Sequence, residues 1–466
     1  MRMKTAVSGR RFRFSINMSN PSALLEEISA IPPKTRAVLE GAQSRNSDFP
    51  GWFREQQNVA WREFEGLPTP TAKDQAWRFS NVQALDLAPY FLPNELSDAN
   101  AHALLERSTD LREISGRLVF ADDQFLERDV LAENLSARGV IFQPLERAML
   151  EHEDLFRRHF MTQPANLGSA KFAALHRAFV RSGTFLYVPR GVEVELPFET
   201  FHWLQGENAA IFPHTLLVAE ENSKVTLVEH FRSADRHRAG FSCGVNDLVV
   251  GQGAKVHYVC TQDWSDRALG IQINATTVAR EASALNLYLN LGGKFSRLES
   301  LSRLTGEGGR SDMLAVSVGD GAQEFDARTL QDHASPHTYS DLLFKNALHD
   351  RARATFGGLI RVEPQAHFTD AYQKVRNLLL SDDAEANSMP GLEIMADNVK
   401  CSHGATSGQL NEDERFYLLA RGIPADVARQ LLVGGFLHEV LDRLPEPALV
   451  VRLEELIAAK FARRGR

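Results

Sequence analysis

The chain has 466 residues, too many for one ordinary core, so two or three domains are expected. With 43% hydrophobic and 24% charged residues it has the composition of a soluble globular protein. A formal net charge of −8 argues against nucleic acid or an anionic membrane as the main partner. No apolar run approaches the roughly 18 residues that span a bilayer, so no membrane partner is expected. The three cysteines, Cys243, Cys260 and Cys401, are odd in number and far apart, which points away from a disulfide framework and towards a reducing, cytoplasmic setting. Their number also limits the chemistry. A cubane iron–sulfur cluster takes about four thiolates and a structural zinc takes four grouped ligands, and there is no C-x-x-C pair.

In chain order, residues 1–17 form a basic leader with Arg2, Lys4, Arg10, Arg11 and Arg13 and no acid, directly before Met18. A transit peptide has this character, but the segment is short. A disordered leader, or a translation start at Met18, is the reading it favours. Residues 18–182 read as a helical and mixed region. Ser22 can cap a helix containing Leu24, Leu25 and Ile28, and after Pro50 the residues Phe53, Ala60, Trp61 and Phe64 keep helical spacing. Leu67-Pro68-Thr69-Pro70 breaks the pattern. In Lys73–Asn81, Trp77 and Phe79 read as packing anchors, and a short strand is expected at Leu118–Phe120.

Residues 183–410 change character. Short β-rich runs (Phe185–Val188, Val225–Glu229, Val256–Cys260, Leu285–Leu289, Leu314–Val318) alternate with small and acidic turns. An apolar pair, a turn, a small residue and alternating apolar residues recur in VAEENSKVTLVE, VVGQGAKVHYVC and VAREASALNLYL. The small residue falls at Ser223, Ala254 and Ser283, with weaker copies at Gly309, Ala352 and Ala384. The gaps are 31, 29, 26, 43 and 32, a period of about 30. Strands without intervening helices favour a β-solenoid over a βαβ sheet, with a β-sandwich as the plainer alternative. A solenoid leaves strand edges unpaired at its ends, and the flanking helical regions, or a partner's sheet edge, are expected to cover them.

The stretch Leu392–Arg421 (LEIMADNVKCSHGATSGQLNEDERFYLLAR) begins as a strand through Ile394, Ala396, Val399 and Cys401. It is expected to enter a loop at Gly404–Thr406 and to end as a helix capped by Asn411, stopped by Gly422. In the C-terminal helical region, 411–466, a second helix starts at Pro424. Val427, Leu431, Leu432, Phe436, Val440 and Leu444 give it an apolar face, and Gly434 and Gly435 weaken it by roughly 1 kcal/mol each. Those glycines mark either close backbone packing or a bend. The face serves either packing within the chain or another protein.

Cys401 and His403, two residues apart on a strand, share a face about 6.5 Å apart along the backbone. That is wide for one tetrahedral metal, whose ligands sit about 3.5 Å apart, but suits two donors facing a shared space. The plainer readings are a small buried hydrophobe and a core histidine. His333 and His337, with Asp332 and Asp341 near, have a His-x3-His spacing, but Pro336 interrupts it and loop histidines bonded to backbone are the plainer reading. Cys243 and Cys260 read as structural, and Lys255, His257 and Lys345 as solvated polar residues on the coils. Neither a P-loop nor a Rossmann glycine pattern is present, and no acid–base pair flanks a Ser or Cys nucleophile, so the chain reads as non-enzymatic. A β-helix enzyme acting on carbohydrate would need an acid–base groove that is not visible.

CSHGAT followed by FYL and RGI, together with KFAALHRAFVRSGTFLYVP, FGGLIRVEPQAHFTDAYQKVRNLLLSDDAEANSMPGLEI and the KDQAWRFSN element, resembles the SufB/SufD family of iron–sulfur cluster assembly scaffold proteins over most of the chain. His333–Lys345 is similar to the family's H-x-x-x-HT-x-SD-x-x-x-K stretch. SufB-like members carry HEAT where this chain has His403-Gly404-Ala405-Thr406, and a functional cysteine where it has Val375; both departures point to the SufD branch, with a SufB-like scaffold that itself holds the cluster as the alternative. Asn398 and Val375 also depart from the usual SufD pattern. The resemblance implies a right-handed parallel β-helix between helical end regions. It implies pairing with SufB through the β-helix, binding of the ATPase SufC through the C-terminal helices, and leaves open a homodimer in isolation. It further implies iron or a nascent iron–sulfur cluster, transient and shared with SufB. His403 is then a donor at the SufB seam, with Cys401 beside it. Phe416, Tyr417, Leu418, Arg421, Leu431 and Phe436 are the expected SufC-docking residues.

Overall fold

The structure, a computed structural model, describes residues 49–129, 131 and 133–464. The basic leader and the helix expected around Leu24, Leu25 and Ile28 lie outside those residues. Helix α1 (Gly51–Gly66) buries Phe53, Ala60 and Trp61 of the expected stripe, leaves Phe64 partly buried, and adds Gln57, which the spacing did not mark. There follow α2 (Asp98–Glu106), capped by the Ser97 hydroxyl, the hairpin β1 (Gly116–Ala121) and β2 (Gln124–Arg128), α3 (Glu133–Ala137), β3 (Ile141–Pro144), α4 (Leu145–Glu151), α5 (Glu153–His159) and α6 (Ala170–Phe179).

Then come strands without helices between them: β4 (Gly183–Val188), β5 (Phe198–Leu204), β6 (Ala209–Ile211), β7 (His214–Ala219), β8 (Lys224–Ser233), β9 (Gly240–Val250), β10 (Lys255–Asp263), β11 (Leu269–Val278), β12 (Ser283–Asn290), β13 (Phe295–Leu304) and β14 (Arg310–Gly319). The series continues with β15 (Glu324–His333), β16 (Tyr339–Leu348), β17 (Arg353–Val362), β18 (Asp370–Leu379), β19 (Glu385–Ile394) and β20 (Lys400–Gly408). Helices α7 (Glu412–Leu419), α8 (Ala425–Leu441) and α9 (Pro447–Arg464) close the chain.

The strands form two sheets, and from β7 onward successive strands alternate between them. One runs β2-β1-β5-β8-β10-β12-β14-β16-β18-β20; the other runs β3-β4-β7-β9-β11-β13-β15-β17-β19, with β6 beside β9. Beyond the antiparallel β1–β2 and β3–β4 pairs, the ladders are parallel. The fold is therefore a parallel β-solenoid, and a sandwich of hairpins is excluded.

Register explains the repeat. Lys224, Lys255, Ser283, Arg310, Tyr339, Asp370 and Lys400 stack in the first sheet, in steps of 31, 28, 27, 29, 31 and 30 residues. Two residues before each of them, Asn222, Gly253, Glu281, Gly308, His337, Phe368 and Asn398 turn the corner with positive φ. A compact residue follows each of the first six: Ser223, Ala254, Ala282, Gly309, Thr338 and Thr369. This corrects the expected phasing. Ala282 holds the position assigned to Ser283. Ala352 and Ala384 precede β17 and β19 in the other sheet, so the gap of 43 mixed two ladders.

The interior between the sheets is apolar, with Leu227, Val256, Tyr258, Met313, Leu342, Phe344, Phe356 and Val375. On the N-terminal side, Phe53, Phe156 and Phe160 pack against Phe185, Leu216 and Val218 of the second sheet. Trp77 is a buried anchor: its indole N–H donates to the Gly168 carbonyl at 2.9 Å, and the Arg297 guanidinium lies 3.7 Å from the ring centroid. Phe79 is not an anchor, being 52% exposed with φ +65°.

The C-terminal helices correct another expectation. They do not cover the end of the solenoid. Val433, Leu437, Val440 and Leu441 of α8 and Leu449, Leu453 and Ile457 of α9 pack on the outer side of the first sheet, on Val259, Leu287, Leu314, Val316 and Leu343. Val427 and Leu431 point away from this contact and are exposed. Lys345 and His257, expected to be solvated, belong to the same contact. Lys345 is 1% exposed, and its ammonium donates to the Phe436 carbonyl and the Glu439 carboxylate; His257 Nδ1 lies 2.6 Å from Glu446. Among the described residues the coil end at β19 and β20 is left bare.

Candidate functional site

Among the described residues nothing pairs with the outer edges of β19 and β20. The chain turns at Met395–Val399 instead of running straight from Ile394 to Cys401. β20 then continues through Gly404, Ala405 and Thr406, where a loop was expected, because each of its residues finds a partner on β18. The ladder sets Cys401 over Ala371, His403 over Gln373, Ala405 over Val375 and Ser407 over Asn377. Those four β18 residues are buried, so strand alternation puts Cys401, His403, Ala405 and Ser407 on the inward face, open only because the coils end.

The two chemical groups differ. Cys401 is half-buried against Ile360, Val362, Ala366 and Ala371. Burial pushes its thiol up and nearby Asp370 adds to this, against a hydrogen bond with the Ala371 backbone that pulls it down. It therefore stays protonated near neutral pH. His403 is exposed. Across the mouth, β19 stacks Ser388, Pro390, Leu392 and Ile394 over Phe356, Gly358, Ile360 and Val362 of β17. Leu392, Ile394 and Met395 are exposed and give the mouth an apolar rim. Asn377 ties the two last strands together: its amide donates to the Thr406 carbonyl and the Ser407 hydroxyl on one side and to the Ser388 hydroxyl on the other.

Such a mouth can do two things. Its strand edges present unpaired N–H and C=O groups that another sheet can complete. Its imidazole can offer a lone pair to a metal of borderline softness. Among the described residues no three His, Cys, Asp or Glu side chains converge as a metal site.

The other candidates lie elsewhere. His333, at the end of β15, is buried, with Nδ1 2.7 Å from the Thr338 hydroxyl and Nε2 2.8 Å from that of Ser340, so both nitrogens face side chains and not backbone. His337 is exposed at a corner and stacks on Phe368, 4.8 Å between centroids. The two histidines do not form a pair. Cys243 and Cys260 are buried, and burial drives both thiols far up.

A second surface lies on the C-terminal helices. Asn411 caps α7, its side-chain oxygen accepting from the backbone N–H of Asp413 and Glu414, and Gly422 ends the turn with φ +78°. Phe416 and Tyr417 are 71% and 55% exposed, and the Arg421 guanidinium lies 3.4 Å from the Tyr417 ring centroid. Leu431 is exposed, Leu418 is partly buried, and Phe436 turns to the solenoid, 4.5 Å from the Lys345 ammonium. Gly434 and Gly435 have nothing within 4 Å of where a Cβ would sit, so they are neither packed closely nor needed for a contact. They line a groove of about 380 Å³ with Leu431, Leu441, Ile457 and Phe461.

Sequence reasoning passed over Gln373 and misread Lys345. The signal for Gln373 was a polar residue in phase with Ala371 and Val375 on a strand whose inward face is apolar.

Comparison with known proteins places these features in context. Residues 202–436 match the family model described as "SUF system FeS cluster assembly, SufBD core domain", and residues 43–199 match "SufBD protein N-terminal region". The chain is 30% identical to the iron–sulfur cluster assembly protein SufD of Bacillus subtilis over 427 residues, covering 90% of this chain and 96% of that one. It is 25% identical to SufB of the same organism over 444 residues, with 92% and 93% covered. An iron–sulfur cluster assembly SufBD family protein of Staphylococcus aureus (strain USA300) is 26% identical over 433 residues, 91% of each chain. Among the described residues no helix is long and apolar enough to cross a membrane.

Proposed function

The chain belongs to the SufB/SufD family of iron–sulfur cluster assembly proteins, and we propose that it acts as the SufD-type, non-catalytic subunit of a cytoplasmic SufB–SufC–SufD scaffold. In this reading a SufB-type sister chain completes the bare edges of β19 and β20. His403 faces the seam so formed and lends its imidazole to incoming iron or to the nascent cluster, the cargo of the assembly. Cys401, held as a thiol, contributes less. The ATPase SufC docks on α7 and the exposed side of α8, and its movements reach the seam through helices that are pinned to the coils.

The observation that carries this reading is the placement of His403 on the inward face of a coil that has no successor among the described residues. An imidazole in the middle of the solenoid would serve packing alone. One at a bare end serves whatever is stacked there. The discriminating experiment replaces His403 with Ala. Folding and co-purification with SufB and SufC remain, while cluster maturation in cells falls; full cluster loading in that variant removes the assigned role.

A further inference from the structure

Gln373 lies one coil below His403, on the same inward face and in direct register with it. It is 2% exposed, and neither its amide oxygen nor its amide nitrogen has a hydrogen-bond partner. A buried amide in that state costs free energy that an apolar side chain would not, so its presence calls for an explanation. Its surroundings narrow the choice. The rung below holds Leu342, fully buried. Across the interior, the amide reaches the bare backbone of Gly358, where a Cβ would stand 2.2 Å from Gln373 Nε2. Above Gly358 sits Pro390, which has no N–H to give. The polar side chain on the next rung is His403.

We infer that Gln373 is a positioning residue for His403: its amide oxygen accepts a hydrogen bond from one ring N–H and so leaves the other nitrogen bare and turned to the mouth. The strands that carry the two side chains are about 4.8 Å apart, so a lean of about 2 Å by the ring closes the bond. An imidazole that is to donate a lone pair needs its proton held on the far nitrogen, and a neutral acceptor does this without adding charge. Gly358 is part of the device, since a side chain there would occupy the space of the amide. The inference rests on the reading of His403 as a donor, but its test does not use cluster formation.

The test is the ¹⁵N spectrum of the His403 ring in the full chain at pH 8, assigned by its loss in His403→Gln. The wild type shows one protonated and one bare nitrogen, a ring locked in one tautomer. In Gln373→Leu, which keeps the volume and matches the Leu342 rung, the tautomer ratio drops roughly two- to tenfold, the range that one hydrogen bond supplies. Gly358→Ala produces the same drift by displacing the amide, and Gln373→Glu, which keeps an acceptor, restores a single tautomer. A wild-type ring already averaged between tautomers, or a Leu variant indistinguishable from wild type, overturns the inference. Locked tautomers together with full cluster maturation in His403→Ala would uphold the positioning and refute the donor role.

Discussion

Lys345 is joined to Glu439 by a contact of 2.5 Å that links the solenoid to helix α8, and the two ends of this pair live in different media. The lysine is 1% exposed, while 43% of the glutamate side chain is open to solvent. Burial lowers the Lys345 pKa, and Glu439 counters part of that shift. Removing the acid strands a buried cation; removing the base leaves a carboxylate that water can solvate. Glu439→Gln should therefore cost about 1–2 kcal/mol and the volume-matched Lys345→Met less than about 1 kcal/mol. Urea denaturation of both variants reads the order.

Buried titratable groups pull the pH dependence of stability in opposite directions. His333 is pushed down to about 4 by burial, against about 6.5 in an unfolded chain. Between these values the unfolded chain binds a proton that the folded chain refuses, so stability is lost as pH falls from about 6.5 to 4. Asp123 and Glu146 are each raised to about 7, chiefly by burial. There the folded chain keeps protons that the unfolded chain has shed, and stability is lost as pH rises from about 4 to 7. Denaturation at pH 5 and pH 8 separates them. His333→Gln should remove about 2 kcal/mol of the acid-side loss, and Asp123→Asn should recover about 2 kcal/mol at pH 8 relative to pH 5.

The solenoid was legible because each coil repeats one short motif, a left-handed corner followed by a compact residue such as Ser223 or Ala254, and composition carries that motif openly. Its phase was less legible. Two sheets have two corners per coil, and nothing local tells Gly309 of one from Ala352 of the other. His403 could be placed on a strand with Cys401, but its openness to solvent depends on what stacks above, and among the described residues no coil does. Lys345 and Phe79 were misread for a related reason. Whether a lysine is buried or a phenylalanine bare depends on what packs over it, and the helix covering Lys345 lies some ninety residues away, the gap to Phe436 being 91.

The unpartnered amide of Gln373 has a consequence for stability separate from the state of His403. Gln373→Leu replaces two unsatisfied polar atoms with a side chain suited to the Leu342 rung below, so it should raise the unfolding free energy by about 1 kcal/mol. Gly358→Ala should lower it by about 1–3 kcal/mol, since the added Cβ would meet Gln373 Nε2 at 2.2 Å and the Phe356 ring at 2.5 Å. Thermal unfolding of the two variants beside wild type checks both signs.

The proposed docking of SufC on the C-terminal helices can be tested without disturbing the fold, provided the residues are chosen by what they touch. Cutting the chain after Gln409 would remove the partner of Val259, Leu287, Leu314, Val316 and Leu343 and expose that apolar face, so lost binding would be confounded with lost structure. Among the described residues Phe416 and Tyr417 are exposed, with the Arg421 guanidinium on the Tyr417 ring, and Leu431 stands at the open groove. Large exposed aromatics of this kind carry most of the energy of an interface. Phe416→Ala and Tyr417→Ala should each weaken SufC binding about tenfold or more with unchanged melting, and Leu431→Asp should do the same. Phe436→Ala should behave in the opposite way. Its ring lies under the Lys345 ammonium on the solenoid side, so its loss should lower stability and leave the SufC affinity of the folded fraction intact. Calorimetric titration with SufC, paired with denaturation of each variant, distinguishes the two classes; a Phe416→Ala chain that binds as wild type does would rule α7 out as the docking element.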